Sequence, residues 1–387
     1  MCRHVVRLPQ QRDSFEVPEE ICYLNTSYMA PQLRSVRIAG QEAIDWRSRP
    51  WAIEAADFFD NVERARAAFG ELIGADAECA ALVPAASYGV ATAAQALPFE
   101  RGEAILLLEG EYPSNFYAWQ RLAAEAGGEL IRVERPADGD WTQAVLERLE
   151  PRVRIASLPH CYWVDGSCLD LVAIGAACRT AGTALVLDIT QSCGAMPIDM
   201  AAVDPDFAVA AGYKWLLCPY GSSFLYVAPR HHGGRPLEES WAGRIGAENF
   251  SQLVPYKQEY QSGARRYDVG ERSNFTAVAQ SLAALDQLGS WTVPAIAETL
   301  RLVIDDIAER CVRQGLRPLS PPIQAPHIIG FQLPSAAPDD LAARMAGDGV
   351  HVSVRGDWLR LSPHLHVGGA DLERFEASLA RHLPGRA

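Results

Sequence analysis

The sequence predicts an α/β protein: a large domain built on a mostly parallel sheet with helices on both faces, and a smaller α/β domain at the C-terminal end. Three observations carry this. Between about residues 80 and 230, short apolar runs alternate with longer helical patterns, as strand–helix–strand units do. Those runs are mostly apolar rather than strictly alternating, which suits strands covered on both faces. The chain has 387 residues, too many for one small core, so one large and one smaller domain are expected.

Taken in order, "EAILLLE" (103–109), "RVRIASL" (152–158), "TALVLD" (183–188), "FAVAA" (207–211) and "SFLYV" (223–227) are expected as buried strands. Between them, "SNFYAWQRLAAEAGG" and "LDLVAIGAACRTAGT" are expected as helices that stop at glycine. The stretch 288–315 is a long helical pattern that Pro294 should interrupt, and "SPPIQAP" after it is a proline-rich turn region. "HIIGFQL" and "HVSVRGDWLRLS" supply short strands, and two helices complete the smaller domain.

Composition narrows the function. Hydrophobic residues make up 49% and charged residues 21%, as in a globular protein. The formal net charge of −13 argues against nucleic acid or an anionic membrane as partner. Nine cysteines include no C-x-x-C pair, which fits reduced thiols in a cytoplasmic protein. The N-terminal stretch lacks the apolar core of a signal peptide, and no run is long enough to span a membrane. The dinucleotide, P-loop and zinc-protease motifs are absent, and no metal site is expected.

One residue stands out. Of 35 Lys and Arg residues only Lys214 and Lys257 are lysines, and Lys214 sits in the apolar run "FAVAAGYKWLLCPYG". Arginine carries charge but stays protonated, so a site that keeps lysine is a candidate for amine chemistry such as a Schiff base. Asp188 ends another strand, where an unused carboxylate would be costly. "VPAASYGVATAAQAL" (83–97) runs from a strand end into a helix, and amides around Ser87–Gly89 could hold a phosphate. "EGEYPSNF" offers an aromatic ring, Tyr112. Amine, acid, phosphate cradle and ring together fit pyridoxal 5′-phosphate, with Asp188 pairing with the pyridine nitrogen and Tyr112 stacking on the ring.

These residues resemble a known family. "DITQSCG" is similar to the D-x-x-(H/Q)-x-x-G strand end, and "GYK" to the lysine motif, of class V aminotransferases among the fold-type I pyridoxal-phosphate enzymes. That group includes cysteine desulfurases, kynureninases and isopenicillin N epimerase-like proteins. The resemblance covers about residues 20–370 and implies a seven-stranded, mostly parallel sheet in the large domain. It implies cofactor contacts from Lys214, Asp188, Gln191, Ser87, Tyr88, Tyr112, Tyr213 and Asn274, with Gln191 at the ring oxygen and Tyr213 near the phosphate. "YLNTSYMAP" (23–31) resembles a substrate-side N-terminal segment, which brings in Asn25. "ERSNF" (271–275) resembles a loop that reaches the neighbouring subunit, and "VSVRGDWLRLSPHLH" a segment whose arginine, here Arg360 with Arg355 as the alternative, binds the substrate carboxylate. His160, Trp163 and Trp241 are further substrate-pocket candidates.

The resemblance also shows departures. The phosphate loop of the family carries two adjacent hydroxyl residues, where Ala86 and Ser87 stand here. Only "GDWL" separates Arg355 from Arg360, with no cysteine between, so a persulfide-forming desulfurase is not expected.

The expected organisation is an N-terminal segment, 1–35, near the active site, a large cofactor-binding domain, 36–289, and a small domain, 290–387. The expected protein is a cytoplasmic homodimer with shared sites. It acts on a small amino acid through an external aldimine and Cα deprotonation, with class V aminotransferase-type transfer ranked first. Kynureninase-like or C–S lyase cleavage, epimerase-like racemisation and a cofactor-free scaffold are the alternatives.

Overall fold

A computed structural model describes residues 7–254 and 256–383, so Cys2 and the first residues of the N-terminal segment lie outside the described residues. The strands are β1 (Cys22–Tyr23), β2 (Ala80–Val83), β3 (Ala104–Leu108), β4 (Glu129–Val133), β5 (Val153–Pro159), β6 (Ala184–Asp188), β7 (Phe207–Ala211), β8 (Ser223–Val227), β9 (Ile329–Gln332), β10 (Val350–His351), β11 (Ser353–Arg355) and β12 (Trp358–Leu361). The α-helices are α1 (Arg34–Arg47), α2 (Asp60–Ile73), α3 (Ala86–Ala96), α4 (Tyr117–Ala126), α5 (Trp141–Glu147), α6 (Leu171–Ala181), α7 (Met200–Val203), α8 (Phe275–Trp291), α9 (Val293–Arg313), α10 (Leu341–Gly347) and α11 (Gly369–His382).

A seven-stranded sheet in the order β2-β8-β7-β6-β5-β3-β4 forms the centre. Only β8 runs against its neighbours, pairing antiparallel with both β2 and β7. Successive side chains leave opposite faces of a strand, and both faces are buried here. Ile105 and Leu107 join one apolar cluster, while Leu106 and Leu108 join another on the other side. That two-sided burial is why "AILLL" has no polar residue, and each such leucine contributes about 1.5–3 kcal/mol of transfer free energy.

The α6 helix starts at Asp170, whose carboxylate accepts the Val172 and Ala173 amides, and stops at Gly182 in the left-handed region (φ 69°). Pro294 does not interrupt the long helical pattern. The break falls at Thr292 (φ 65°), and Pro294 lies in the first turn of α9, where its missing N–H costs nothing.

The smaller core packs α10 and α11 with the antiparallel strands β11-β12-β9. The N-terminal segment joins it through parallel pairing of β1 with β10. Helix α9 serves both cores: Ile296 and Leu300 lie in the larger one, Ile304, Ile307 and Cys311 in the smaller. Among the described residues no helix is long and apolar enough to cross a membrane.

Candidate active site

The carboxyl ends of β2, β3, β5, β6 and β7 open onto one cavity of about 180 Å³. Its walls include Ser87, Tyr112, Trp163, Asp188, Gln191, Tyr213 and Lys214. Strand direction explains the gathering, since parallel strands put all their carboxyl ends, and the loops that follow them, on one edge.

Lys214 stands in the turn between β7 and β8. Its carbonyl accepts the Leu217 amide at 3.0 Å, and the Cys218 amide returns to the Gly212 carbonyl at 3.0 Å. Leu217 takes a left-handed backbone (φ 56°), an uncommon conformation for a leucine, fixed by the fully buried Trp215 and Leu216 before it. Trp215 Nε1 donates to Gln191 Oε1 at 3.0 Å, and Gln191 Nε2 donates to the Ser27 carbonyl at 3.2 Å. Gly194 admits this interlock, because a Cβ there would stand 2.3 Å from the Trp215 carbonyl oxygen. The lysine turn and the turn after Asp188 are therefore one rigid unit.

Asp188 is buried, and its Oδ1 accepts the Thr190 amide at 2.9 Å. Burial raises its proton affinity, against the pull of Thr190 and the Lys214 charge. Burial likewise lowers the pKa of Lys214 to about 8, opposed by Asp188 and assisted by Arg360 and Arg355. Nζ of Lys214 lies 5.3 Å from the centroid of the Tyr112 ring.

Helix α3 begins at Ala85 with no side-chain cap, leaving the first amides of the helix without one at the cavity wall. The helix sits close to the sheet, since a Cβ at Gly89 would meet Val209 Cγ2 at 2.6 Å. An uncapped N-terminus with its positive dipole end beside a buried amine and a buried acid fits the phosphate, aldehyde and ring nitrogen of pyridoxal phosphate.

On the neighbouring side, Arg360 is 1% exposed and donates from Nη1 to the Trp163 carbonyl at 2.8 Å. Asn25 Oδ1 lies 3.5 Å from Nη2, brought there by the pairing of Asn25 with Ser362. Nε has no partner. Burial and Arg355 weaken its hold on its proton, yet a guanidinium stays charged at neutral pH. The Trp163 indole donates to the Gly110 carbonyl at 2.9 Å and meets Tyr112 edge to face.

Six expected residues lie off the cavity wall: Arg360 and Asn25, beside it behind Trp163, and Tyr88, His160, Asn274 and Trp241. Burial raises the pKa of Tyr88, and Glu238 adds to it. His160 is buried behind the wall, its amide donating to the Asp188 carbonyl at 3.4 Å, and burial lowers its pKa to about 4. Asn274 caps α8 through the Ala277 amide and lines an adjoining hollow that shares Pro84, Gly221 and Ser223 with the cavity. Trp241 packs with Phe58, Phe59 and Phe250 in a separate aromatic group.

The sequence reading passed over Glu111 and Thr190. Glu111 lines the cavity beside Tyr112, and its Oε2 is buried without a partner. Burial, with Asp188 adding to it, pushes its pKa up to about 8. An acid one residue before the ring candidate was the available signal. Thr190 ties the acid loop to the lysine strand, its Oγ1 accepting the Ala211 amide at 3.0 Å. Among the described residues no cluster could hold a metal ion.

Fold and site together define a fold-type I pyridoxal-phosphate enzyme. The family model for aminotransferase class-V matches residues 49–363, and the chain belongs to that family. It is similar to isopenicillin N epimerase of Streptomyces clavuligerus, 32% identical over 83% of this chain and 77% of the relative. It is also similar to kynureninase of Deinococcus radiodurans, 28% identical over 81% of this chain and 78% of that one. In fold it resembles the apo cysteine desulfurase of Thermococcus onnurineus NA1, with a TM-score of 0.85 at 18% identity, covering 98% of both chains.

Proposed function

We propose that the enzyme binds a small amino acid through Arg360 and transfers its amino group, with Lys214 holding the cofactor and moving the proton at Cα. The observation that carries this is the placement of Lys214. One of only two lysines, it is 6% exposed and faces the same cavity as Asp188 and the free N-terminus of α3.

Bound pyridoxal phosphate supplies an electron sink for the bonds at Cα. Asp188 holds a proton at the pyridine nitrogen, and its burial makes that pairing strong. Amides at Ala86 and Ser87, with Tyr213, hold the phosphate. Gln191 keeps one amide hydrogen for the ring oxygen, its other polar groups being used by Ser27 and Trp215. With a pKa of about 8, Lys214 has a sizeable neutral fraction near neutral pH, so it can accept and return the Cα proton. The free Nε and the Nη edge of Arg360 take the substrate carboxylate.

Side-chain cleavage is the second reading. It is favoured by Glu111, which keeps its proton at neutral pH on the cavity wall and could deliver it to a departing side chain. We also propose a homodimer, in which the Asn274 loop, next to the cavity but outside it, completes the partner's site.

The deciding experiment is a screen of amino acids against the reconstituted holoenzyme, read by absorbance and product identification. An oxo acid formed without ammonia supports transfer, a shortened amino acid or an oxo acid formed with ammonia supports cleavage, and inverted Cα configuration supports racemisation. Absence of any spectral response to every amino acid would overturn the proposal.

A further inference from the structure

We propose that His327 is a positioning residue for the contact with the cofactor's ring oxygen. From behind the cavity it fixes Gln191, and through Gln191 it sets how tightly the nitrogen of Lys214 holds its proton when joined to the cofactor. The proposal rests on the assignment of Gln191 to the ring oxygen above and adds the residue that aims it.

A stiff strap, 323–328, carries His327. Pro326 fixes its own φ and restricts Ala325 before it to extended backbone. The strap is stitched to the loop after β5. The Cys168 amide donates to the Ile323 carbonyl at 2.9 Å, and the Ala325 amide to the Gly166 carbonyl at 2.8 Å. Gln324 Nε2 closes the strap on itself at the Ile328 carbonyl, 2.7 Å away. Gly166 (φ 78°) permits the approach, since a Cβ there would stand 2.3 Å from the Ile328 carbonyl oxygen.

On the strap, the fully buried His327 meets the turn after Asp188. Its Nε2 bonds the Gln191 carbonyl, and its ring stands edge-on to Trp215, with centroids 4.3 Å apart at 80°. A carbonyl oxygen only accepts, so Nε2 carries the proton. Trp215 in turn donates to Gln191 Oε1, and Gln191 Nε2 to the Ser27 carbonyl. One imidazole thus supports both the backbone of Gln191 and the indole that orients its amide. Burial lowers the pKa of His327 to about 3 against the Gln191 bond, with His160 and Arg301 adding to the fall. Burial also keeps the neighbouring His364 neutral, so the donor is uncharged at neutral pH.

A hydrogen bond from Gln191 spreads the negative charge of the ring oxygen. With Gln191 misaimed, more of that charge stays beside the nitrogen of Lys214 and holds its proton more tightly. The other groups acting on that nitrogen are the charges of Asp188, Arg360 and Arg355 and the rings of Tyr112 and Tyr213, none of which bonds His327.

The test titrates the visible absorbance of bound cofactor against pH in the holoenzyme, with no amino acid added. His327→Leu and Gln191→Ala should each move the transition up by about half a unit or more. His327→Gln, whose amide nitrogen takes the place of Nε2, should restore most of it. His327→Leu added to Gln191→Ala should move it no further. Where leucine prevents folding, His327→Asn, whose shorter amide falls short of the carbonyl, is expected to give the same upward shift. A wild-type transition in folded His327→Leu or His327→Asn, or an undiminished further shift in the Gln191→Ala background, would overturn the role of His327. A wild-type transition in Gln191→Ala would overturn the ring-oxygen assignment as well. Both results are independent of which amino acid the enzyme accepts and of how it is transformed.

Discussion

The amine of Lys214 lies 5.3 Å from the centre of the Tyr112 ring and 5.6 Å from that of Tyr213. Aromatic faces favour the charged amine, whereas burial favours the neutral one, and burial dominates. The pair thus holds a reactive amine against the ring assigned to stack on the cofactor.

Lys214→Arg keeps charge and aromatic contact but removes the primary amine. The variant is expected to lose the visible absorbance of bound cofactor and at least about a hundredfold of turnover. Normal turnover in Lys214→Arg would remove the lysine assignment.

Asp188→Asn preserves shape and the Thr190 contact but not the charge. Loss of activity equivalent to about 3–5 kcal/mol is expected, with the fold retained by circular dichroism. Wild-type rates would reduce Asp188 to a turn residue.

Arg360→Lys and Arg360→Ala should raise KM by about 10- to 100-fold while the cofactor remains bound, because a point charge cannot replace a fork. Steady-state kinetics beside cofactor absorbance separates the two effects. Unchanged KM for every accepted amino acid would count against Arg360.

Glu111 gives a pH signature. Its folded pKa is raised from 4.5 to about 8, so the native state holds the proton more tightly than the unfolded chain. Its contribution to stability is full below 4.5 and is lost as pH rises through about 8. In cofactor-free Glu111→Gln, Tm should fall less over that window than in the parent enzyme. Identical pH profiles would show that the carboxyl is ionised and solvated.

No cysteine is expected to be essential. Cys161 and Cys168 lie 3.2 Å apart at sulfur, both buried, and burial pushes the Cys161 and Cys193 thiols up, away from the reactive thiolate. Cys161→Ser, Cys168→Ser and Cys193→Ser should each keep turnover, and L-cysteine should leave no protein-bound persulfide. Persulfide lost with one substitution would restore a desulfurase mechanism.

Five of the seven central strands were legible because they are mostly apolar, and 207–211 and 223–227 have the expected bounds; β2 is only four residues long and the edge strand β4 exposes Glu129 and Arg132, so neither gave that signal. Lys214, Asp188 and Tyr112 were legible as exceptions beside strand ends and Gln191 through the family resemblance, and the fold brings them to one cavity. Local patterns could not place Trp241, because a tryptophan in an irregular stretch packs wherever other rings gather. The two-residue strand β1 gave no pattern, since its partner β10 lies far away in the chain. Glu111 was overlooked because an acid in a loop ordinarily faces water, and only the packed structure reveals its buried oxygen.

Helix α9 buries its first half in the larger core and its second half in the smaller one. The boundary between the two parts therefore has no slack peptide where a cut, graft or insertion would go unnoticed. Severing the chain near 290 would strip Ile296 and Leu300 from the larger part, and severing it after Arg313 would leave the smaller part without Ile304, Ile307 and Cys311. Neither half is a transplantable module. The hairpin bearing Arg355 and Arg360 reached its present place beside the lysine turn as part of an indivisible whole.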